Sequence, residues 1–509
     1  MAATADNFDE QGYVKANPDV AEAVGRGDVL SGAEHFFSVG HTESRSQVDL
    51  GKHPSARHDL GVREVWMKVL PYVFLSLLAS LVVAMHVQSY SVIGPVDELQ
   101  QIDYADHLSR GELPIFPAPI GQTPLKEEAC RGIDAGGYQF TPPPCGVVPY
   151  DSSKYQEGGL STQAFHPPLY YAVVGPTSRV IANIFSFDSL VGIQRMLGAA
   201  WLAAGLCLAL AASVRIGLSR RRATLVLALV AVMPQVVYAH STVNNDVSAL
   251  FVGALALWAV IRDTGSRWFS VLLVFVGAVA GLTKVTNGLG LGVAALLVFF
   301  APWLAARRPR KFSVWTRFRP GVALLAGYLV ANLVWQGIFA RIRLASPRDV
   351  SIFNRFEPQQ VTPASVIQHM STYSDPFFAG QRPTPLSFAA YVAPPFTKPL
   401  LMTIAFLASL IFLAAVYGSI AIYGRRKSVV TTLGACTAAT LLLAGPLQFY
   451  GVYLATSAGY SNTRYSWSVL PAYAVVTALA VKGKRLWVIA ALFVALLGTY
   501  VGLALPVMH

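Results

Sequence analysis

Runs of about twenty apolar residues recur between residues 69 and 506, and they constrain this chain more than any other feature of it. A helix rises about 1.5 Å per residue, so ~20 such residues match the ~30 Å hydrocarbon core of a bilayer. In lipid each span must also satisfy its own backbone hydrogen bonds, which leaves helices as the economical solution for long, continuous apolar runs. Charge supports the same reading. Only 13% of the 509 residues are charged and 54% are hydrophobic, where soluble domains carry roughly 25% charge. The expected fold class is therefore an all-α polytopic membrane protein.

Eleven candidate spans run near 69–93, 193–214, 223–242, 246–262, 268–284, 287–305, 320–340, 399–423, 429–455, 466–481 and 486–506. The net charge of +12 does not point to nucleic acid, because the basic residues sit in short clusters between the spans. These are Arg220-Arg221-Arg222, Arg262 with Arg267, Arg307-Arg308 to Arg319, Arg425-Arg426-Lys427, and Lys482, Lys484 and Arg485. The segment 168–185 decides their side. If it lies in the interface, every cluster falls on the side of the N-terminus; if it crosses, every cluster changes side. Basic residues favour the cytoplasmic face, so the expectation is eleven spans, a cytoplasmic N-terminus and an interfacial helix at 168–185, whose Pro168, Pro176 and Arg179 agree with that placement. Two long loops, 94–192 and 341–398, then lie on the extracytoplasmic side. The expected localisation is a bacterial inner membrane, its bacterial nature being implied by the resemblances described below.

Residues 1–64 form a polar preface with acidic residues early, which reads as no cleavable signal peptide. Apolar residues at helical spacing, with Asn17 or Asp19 as a cap for a helix starting near Pro18, suggest a small cytoplasmic helical module. It resembles a short bacterial module carrying Asn-Pro-Asp-Val, then His-Phe, a glycine and Glu-x-Arg, matched here by Asn17 to Val20, His35-Phe36, Gly40 and Glu43 to Arg45. Its expected role is to dock a cytoplasmic partner. Residues 65–509 form the transmembrane domain.

With that topology the unusual polar residues fall on one face. Asp97-Glu98 follow the first span, and His166 opens His-Pro-Pro-Leu-Tyr-Tyr. Asn244-Asn245-Asp246 lie between two spans, Lys284 and Asn287 in a tight turn, and Tyr460, Asn462, Arg464 and Tyr465 before the tenth span. Each has a plainer role open to it: Asp97 or Asn244 as helix caps, Lys284 reaching to headgroups, the tyrosines in an interfacial belt. Together they suit group transfer from an anionic lipid carrier. A carboxylate serves as general base for an acceptor hydroxyl, Asp97 in the first place and its neighbour Glu98 as the alternative. Lys284 and Arg464 neutralise the departing phosphate. His166, Asn244, Asn245, Asp246 and Tyr465 suit substrate binding. Asp97, Glu98 and Asp246 would also suit a divalent metal ion as hard oxygen ligands, although no ligand spacing calls for one. Cys130 and Cys145 share a polar loop and can pair if it faces an oxidising compartment.

These features resemble the GT-C superfamily of membrane glycosyltransferases, which includes protein O-mannosyltransferases and aminoarabinose transferases. The resemblance covers residues 65–506 and rests on Asp97-Glu98, Tyr104, Leu108, Gly111 and Pro114, the His166 to Tyr171 motif, Asn245-Asp246, Gly281 to Lys284, and Arg464-Tyr465 with Pro471. It implies a catalytic acid on the first outer loop, at Asp97 or Glu98, and a sugar donor carried on polyprenyl phosphate. The acceptor would be a lipid or a cell-envelope glycan. Such chains often carry His three residues after the Glu, where this one has Gln101. The alternatives are a flippase for lipid-linked sugars and a polysaccharide polymerase. A flippase calls for polar residues along a path through the membrane, whereas the midspan positions here are nearly all Ala, Leu, Val and Gly.

Overall fold

The computed structural model describes residues 3–4, 8–47, 62–95, 97–133, 142–262, 266–300, 314–345, 362–364, 366–367, 376–377, 398–423, 429–456 and 463–504. Most of the loop 341–398, Tyr460, Asn462, Arg307-Arg308 and Arg425-Arg426-Lys427 lie outside them. The described chain is all-helical; its only extended pairings are single bridges, Ile93 with Ile133 and Pro119 with Leu160.

Three short helices open it: α1 (Glu10–Ala16), α2 (Pro18–Arg26) and α3 (Gly32–His35). As the sequence suggests, α2 begins on Pro18, which suits a first-turn position because its missing N–H would have no helical partner. Asn17 does not cap it. Its amide donates instead to the carbonyls of Tyr13 (2.7 Å) and Ser46 (2.9 Å), tying the module's two ends together. Tyr13, Val20 and Phe36 form a small core with Phe8 stacked on Phe36. The connection after α2 inserts Leu30 against the main helical core. Glu34 accepts a backbone hydrogen bond from Val429 and feels the charge of Lys482. The module thus rests on the basic ends of the bundle, and its eight acidic against three basic side chains in residues 1–47 complement that surface.

The long helices follow: α4 (Val62–Ser89), then α5 (Glu98–Ser109), α6 (Gln122–Arg131) and α7 (Leu169–Phe185) in the first loop, then α8 (Val191–Arg215), α9 (Arg220–Ala231), α10 (Pro234–Ser241), α11 (Val247–Arg262), α12 (Arg267–Thr283), α13 (Gly288–Phe300), α14 (Val314–Ile342), α15 (Lys398–Tyr423), α16 (Val429–Thr456), α17 (Leu470–Ala480) and α18 (Arg485–Ala504). Every one of the eleven expected segments holds a helix. Six have the length and hydropathy to cross a membrane, within α4, α8, α14, α15, α16 and α18. The expected single span 223–242 is instead the pair α9 and α10, bent by 68°. Pro234 explains the break: it has no N–H to give, and its ring crowds the carbonyl four residues earlier. Counted as one, the pair makes a seventh span. The remaining four are shorter; α17 reaches only 11 residues, but a 3-10 segment, Thr463–Val469, runs directly into it.

The first loop is built on α5. On α7, Tyr170, Tyr171, Val174, Gly175, Ser178 and Ala182 are buried, while Val173, Val180, Ile184 and Phe185 are exposed, a clean two-faced helix. A side chain at Gly175 would lie 2.2 Å from the Ala105 carbonyl, so the missing Cβ is what lets α7 lie flush on α5. The end of α14 reaches the same loop: Trp335 Nε1 donates to the Phe165 carbonyl (2.9 Å), and Phe339 packs on Phe116. Cys130 and Cys145 are joined by a disulfide, closing α6 onto the proline-rich segment after it.

Candidate active site at the Asp97 end of the bundle

Asp97 precedes α5 with φ of 60°, a left-handed conformation that aspartate tolerates better than most residues. Its side chain does not cap the helix. It reaches Arg464 instead, at 3.1 Å from Nη2. The other guanidinium nitrogen, Nη1, lies 3.6 Å from Asp246 Oδ2, and Asp246 Oδ1 accepts from Lys284 Nζ. Four charges from four separate segments therefore make one chain: Asp97, Arg464, Asp246, Lys284. Tyr465 lies beneath both cations, its ring centroid 5.6 Å from Lys284 Nζ and 5.7 Å from the Arg464 guanidinium carbon. Asp246 and Lys284 are buried, whereas Asp97 and Arg464 keep 21% and 17% of their side-chain surface exposed. The accessible end of the chain is thus the Asp97–Arg464 end.

Glu98 is placed quite differently. Both its oxygens are taken: Oε1 by Arg195 Nε and the Val243 N–H (2.8 Å each), Oε2 by Arg195 Nη2 (2.8 Å) and the Gly94 N–H (2.6 Å). Arg195, itself 1% exposed, also donates to the carbonyls of Tyr90 (2.7 Å) and Val92 (2.6 Å). The pair clamps the end of α4, the turn before α5, the start of α8 and the residues before α11. Sequence reasoning missed Arg195 because it counted the residue as part of an apolar span. The signal was present, since a lone ionisable residue in such a run demands a partner.

The remaining candidates divide between structure and site. Asn244 turns inward, its amide donating to Ala239 O and Thr242 and its oxygen accepting from the Asp246 N–H (3.0 Å); it shapes the turn into α11. Asn245 is completely buried, and its side-chain oxygen and nitrogen have no partner among the described residues. Asn287 joins α11 to α12 by donating to Ser248 Oγ (3.2 Å) and Thr283 Oγ1 (2.8 Å). The imidazole of His166 is pushed well below its ordinary value by burial and by the charges of Lys284 and Arg464, so the ring is neutral. The motif around it is held by α5: Tyr104 donates to the His166 carbonyl (3.0 Å), Tyr171 donates to Gln101 Oε1, and the two tyrosine rings stack at 3.9 Å. Gln101, the departure from the GT-C pattern, thus serves the packing of α7. Among the described residues no group of three or more His, Cys, Asp or Glu side chains converges as metal ligands do; Asp97, Glu98 and Asp246 each face a cation instead.

Arg464 is delivered by the 3-10 segment Thr463–Val469, which is pressed against α11 and α13. A Cβ on Gly253 would fall 1.8 Å from the Ser468 carbonyl, and the Gly290 N–H donates to Ser468 Oγ (3.0 Å). Gly253→Ala must therefore push this segment outward. We expect it to cost about 1–3 kcal/mol of stability, the usual penalty of overpacking, and to widen the Arg464–Asp97 distance. Thermal unfolding in detergent checks the first effect, and a spin-label or crosslinking distance checks the second.

Comparison with protein-family models, with characterised proteins and with solved structures gives no match. A functional reading therefore rests on the residues and their geometry.

Proposed function

We propose that this chain is an integral-membrane glycosyltransferase of the GT-C type. It takes a sugar from a polyprenyl-phosphate carrier and transfers it to a lipid or cell-envelope glycan acceptor on the extracytoplasmic face of a bacterial inner membrane. The observation that carries this reading is the charge chain in which an accessible Asp97 lies beside Arg464, which Asp246 links to the buried Lys284. In the proposed step Asp97 takes the proton of the acceptor hydroxyl, and the acceptor oxygen bonds to the anomeric carbon. The bond from that carbon to the phosphate oxygen breaks, and the phosphate leaves with its electron pair. Arg464 and Lys284 neutralise the charge that develops there. Glu98 holds the turn and Asp97 acts as base; that division follows from Glu98 having its lone pairs occupied. Asn245 and neutral His166 are then suited to sugar hydroxyls.

Three further features support the membrane side of the proposal. The exposed apolar face of α7 suits an interfacial helix. Between α7, α8 and α11 lies a groove of about 240 Å³ lined by Val173, Val174, Leu197, Ala200, Trp201, Ala204 and Phe251, apolar throughout and fitted to part of a prenyl tail. The basic clusters at the opposite helix ends, and the acidic module resting on them, suit a cytoplasmic N-terminus and eleven crossings. On that reading the module's outward face is left for a cytoplasmic partner.

The test is reconstitution in liposomes with polyprenyl phosphate carrying radiolabelled sugar, with lipid and glycan acceptors supplied. Label appearing in the acceptor supports the proposal. Label that crosses the bilayer still on its carrier, with none in the acceptor, would replace it with a flippase.

A further inference from the structure

Glu128 takes no part in the site above, yet it is the most unusual acid of the first loop. It is fully buried on α6, whose Leu125 belongs to a small apolar core with Ile102, Tyr150 and Tyr155. Oε2 accepts from Gln156 Nε2 (2.6 Å); Oε1 has no partner among the described residues. Two more polar atoms here are equally bare: Gln100 Oε1, whose amide nitrogen points at the Gln156 carbonyl (3.5 Å), and the Tyr155 hydroxyl. No described cation pairs with Glu128. The charge felt from α5 is Glu98, and on its own helix Glu127 is spent on Arg131 (2.7 Å). Tyr155 is the titratable group of the loop that feels the charge of Glu128. Ionised, the carboxylate keeps the side-chain and backbone donors of Gln156, but it is a buried charge that feels the like charge of Glu98, and its Oε1 has no donor among the described residues; protonation removes that charge.

The position matters because α6 is strapped to the turn that presents Asp97. The Ile93 N–H donates to the Gly132 carbonyl just past α6 (2.9 Å), and Arg131 donates to Ser91 O (3.3 Å) and Ser189 Oγ (3.0 Å). Residues 91–93 lead directly into Gly94, whose N–H is held by Glu98. We propose that Glu128 is a proton-binding site: protonated, it locks α6 against α5 and steadies the Asp97 turn, and loss of its proton loosens α6 and that strap together. This coupling holds whatever chemistry Asp97 performs.

Burial, reinforced by Glu98, raises the carboxyl from its ordinary 4.5 to about 7, while Gln156 opposes the shift. The folded loop therefore binds a proton that an unfolded one has released. Its stability is full below pH 4.5, falls as the pH climbs toward about 7, and stays reduced above that.

Hydrogen exchange on the full-length protein in detergent, at pH 5 and pH 8 with times scaled for intrinsic exchange, tests this. Protection of residues 122–131 is expected to fall about tenfold or more in wild type. Glu128→Gln, neutral and nearly isosteric, is expected to keep its pH 5 protection at pH 8, and Glu128→Met provides the same check if the glutamine variant fails to fold. Unchanged protection in wild type, or an equal fall in a folded neutral variant, overturns the proposal.

Discussion

Replacing Asp97 by asparagine is expected to lower sugar transfer by about 10²- to 10⁴-fold, the usual contribution of a general base. The side chain keeps its size, and the turn around it is held by Glu98 and Arg195, so expression and unfolding temperature should stay near wild type. A second effect runs the other way. Asp97 pairs with Arg464; if Arg464 binds the donor phosphate as proposed, the asparagine variant is expected to bind polyprenyl phosphate a few times more tightly, whereas Arg464→Ala is expected to bind it more weakly. Labelled-sugar transfer and lipid-phosphate affinity on the same preparations measure both. Near-normal turnover in Asp97→Asn would remove Asp97 from the chemistry. Equal affinity in both variants and wild type would remove Arg464 from the phosphate site.

The second large effect concerns stability. Arg195→Met strands the buried Glu98 carboxylate and two carbonyls, those of Tyr90 and Val92, and should cost ~3–5 kcal/mol, the usual result of breaking a buried ion pair from one side. Adding Glu98→Leu removes the stranded charge and is expected to restore part of that loss. It cannot restore all of it, because the N–H groups of Gly94 and Val243 then lose their acceptor. Denaturation of the single and double variants in detergent reads both quantities. An Arg195→Met protein within ~1 kcal/mol of wild type would refute the clamp.

These two acids, adjacent in sequence, show how far the sequence reaches. That an Asp-Glu pair after the first apolar run matters is legible from the cost of placing charge there. Which of the two is available is not, because it depends on Arg195, Gly94 and Val243, from distant or turn-forming segments. Asn244 and Asn245 repeat the lesson: one is folded back into its turn and its neighbour is buried with an amide that has no partner among the described residues, a difference no adjacent-residue pattern carries. The break at Pro234 was visible as a proline inside an expected span, but its 68° angle required the packing of α10 against α4 and α8.

What the sequence determined by itself is the helical class of the chain, the position of all eleven apolar segments and the start of α2 at Pro18. These follow from local quantities, hydropathy and the missing proline N–H, that any short window contains. Tertiary structure alone decided that Asp97 meets Arg464 across 367 positions, that Arg195 belongs to Glu98, and that Glu128 is buried without a counter-charge among the described residues. Those are pairings and desolvations, set by which helix ends come together, and no single segment encodes its neighbour.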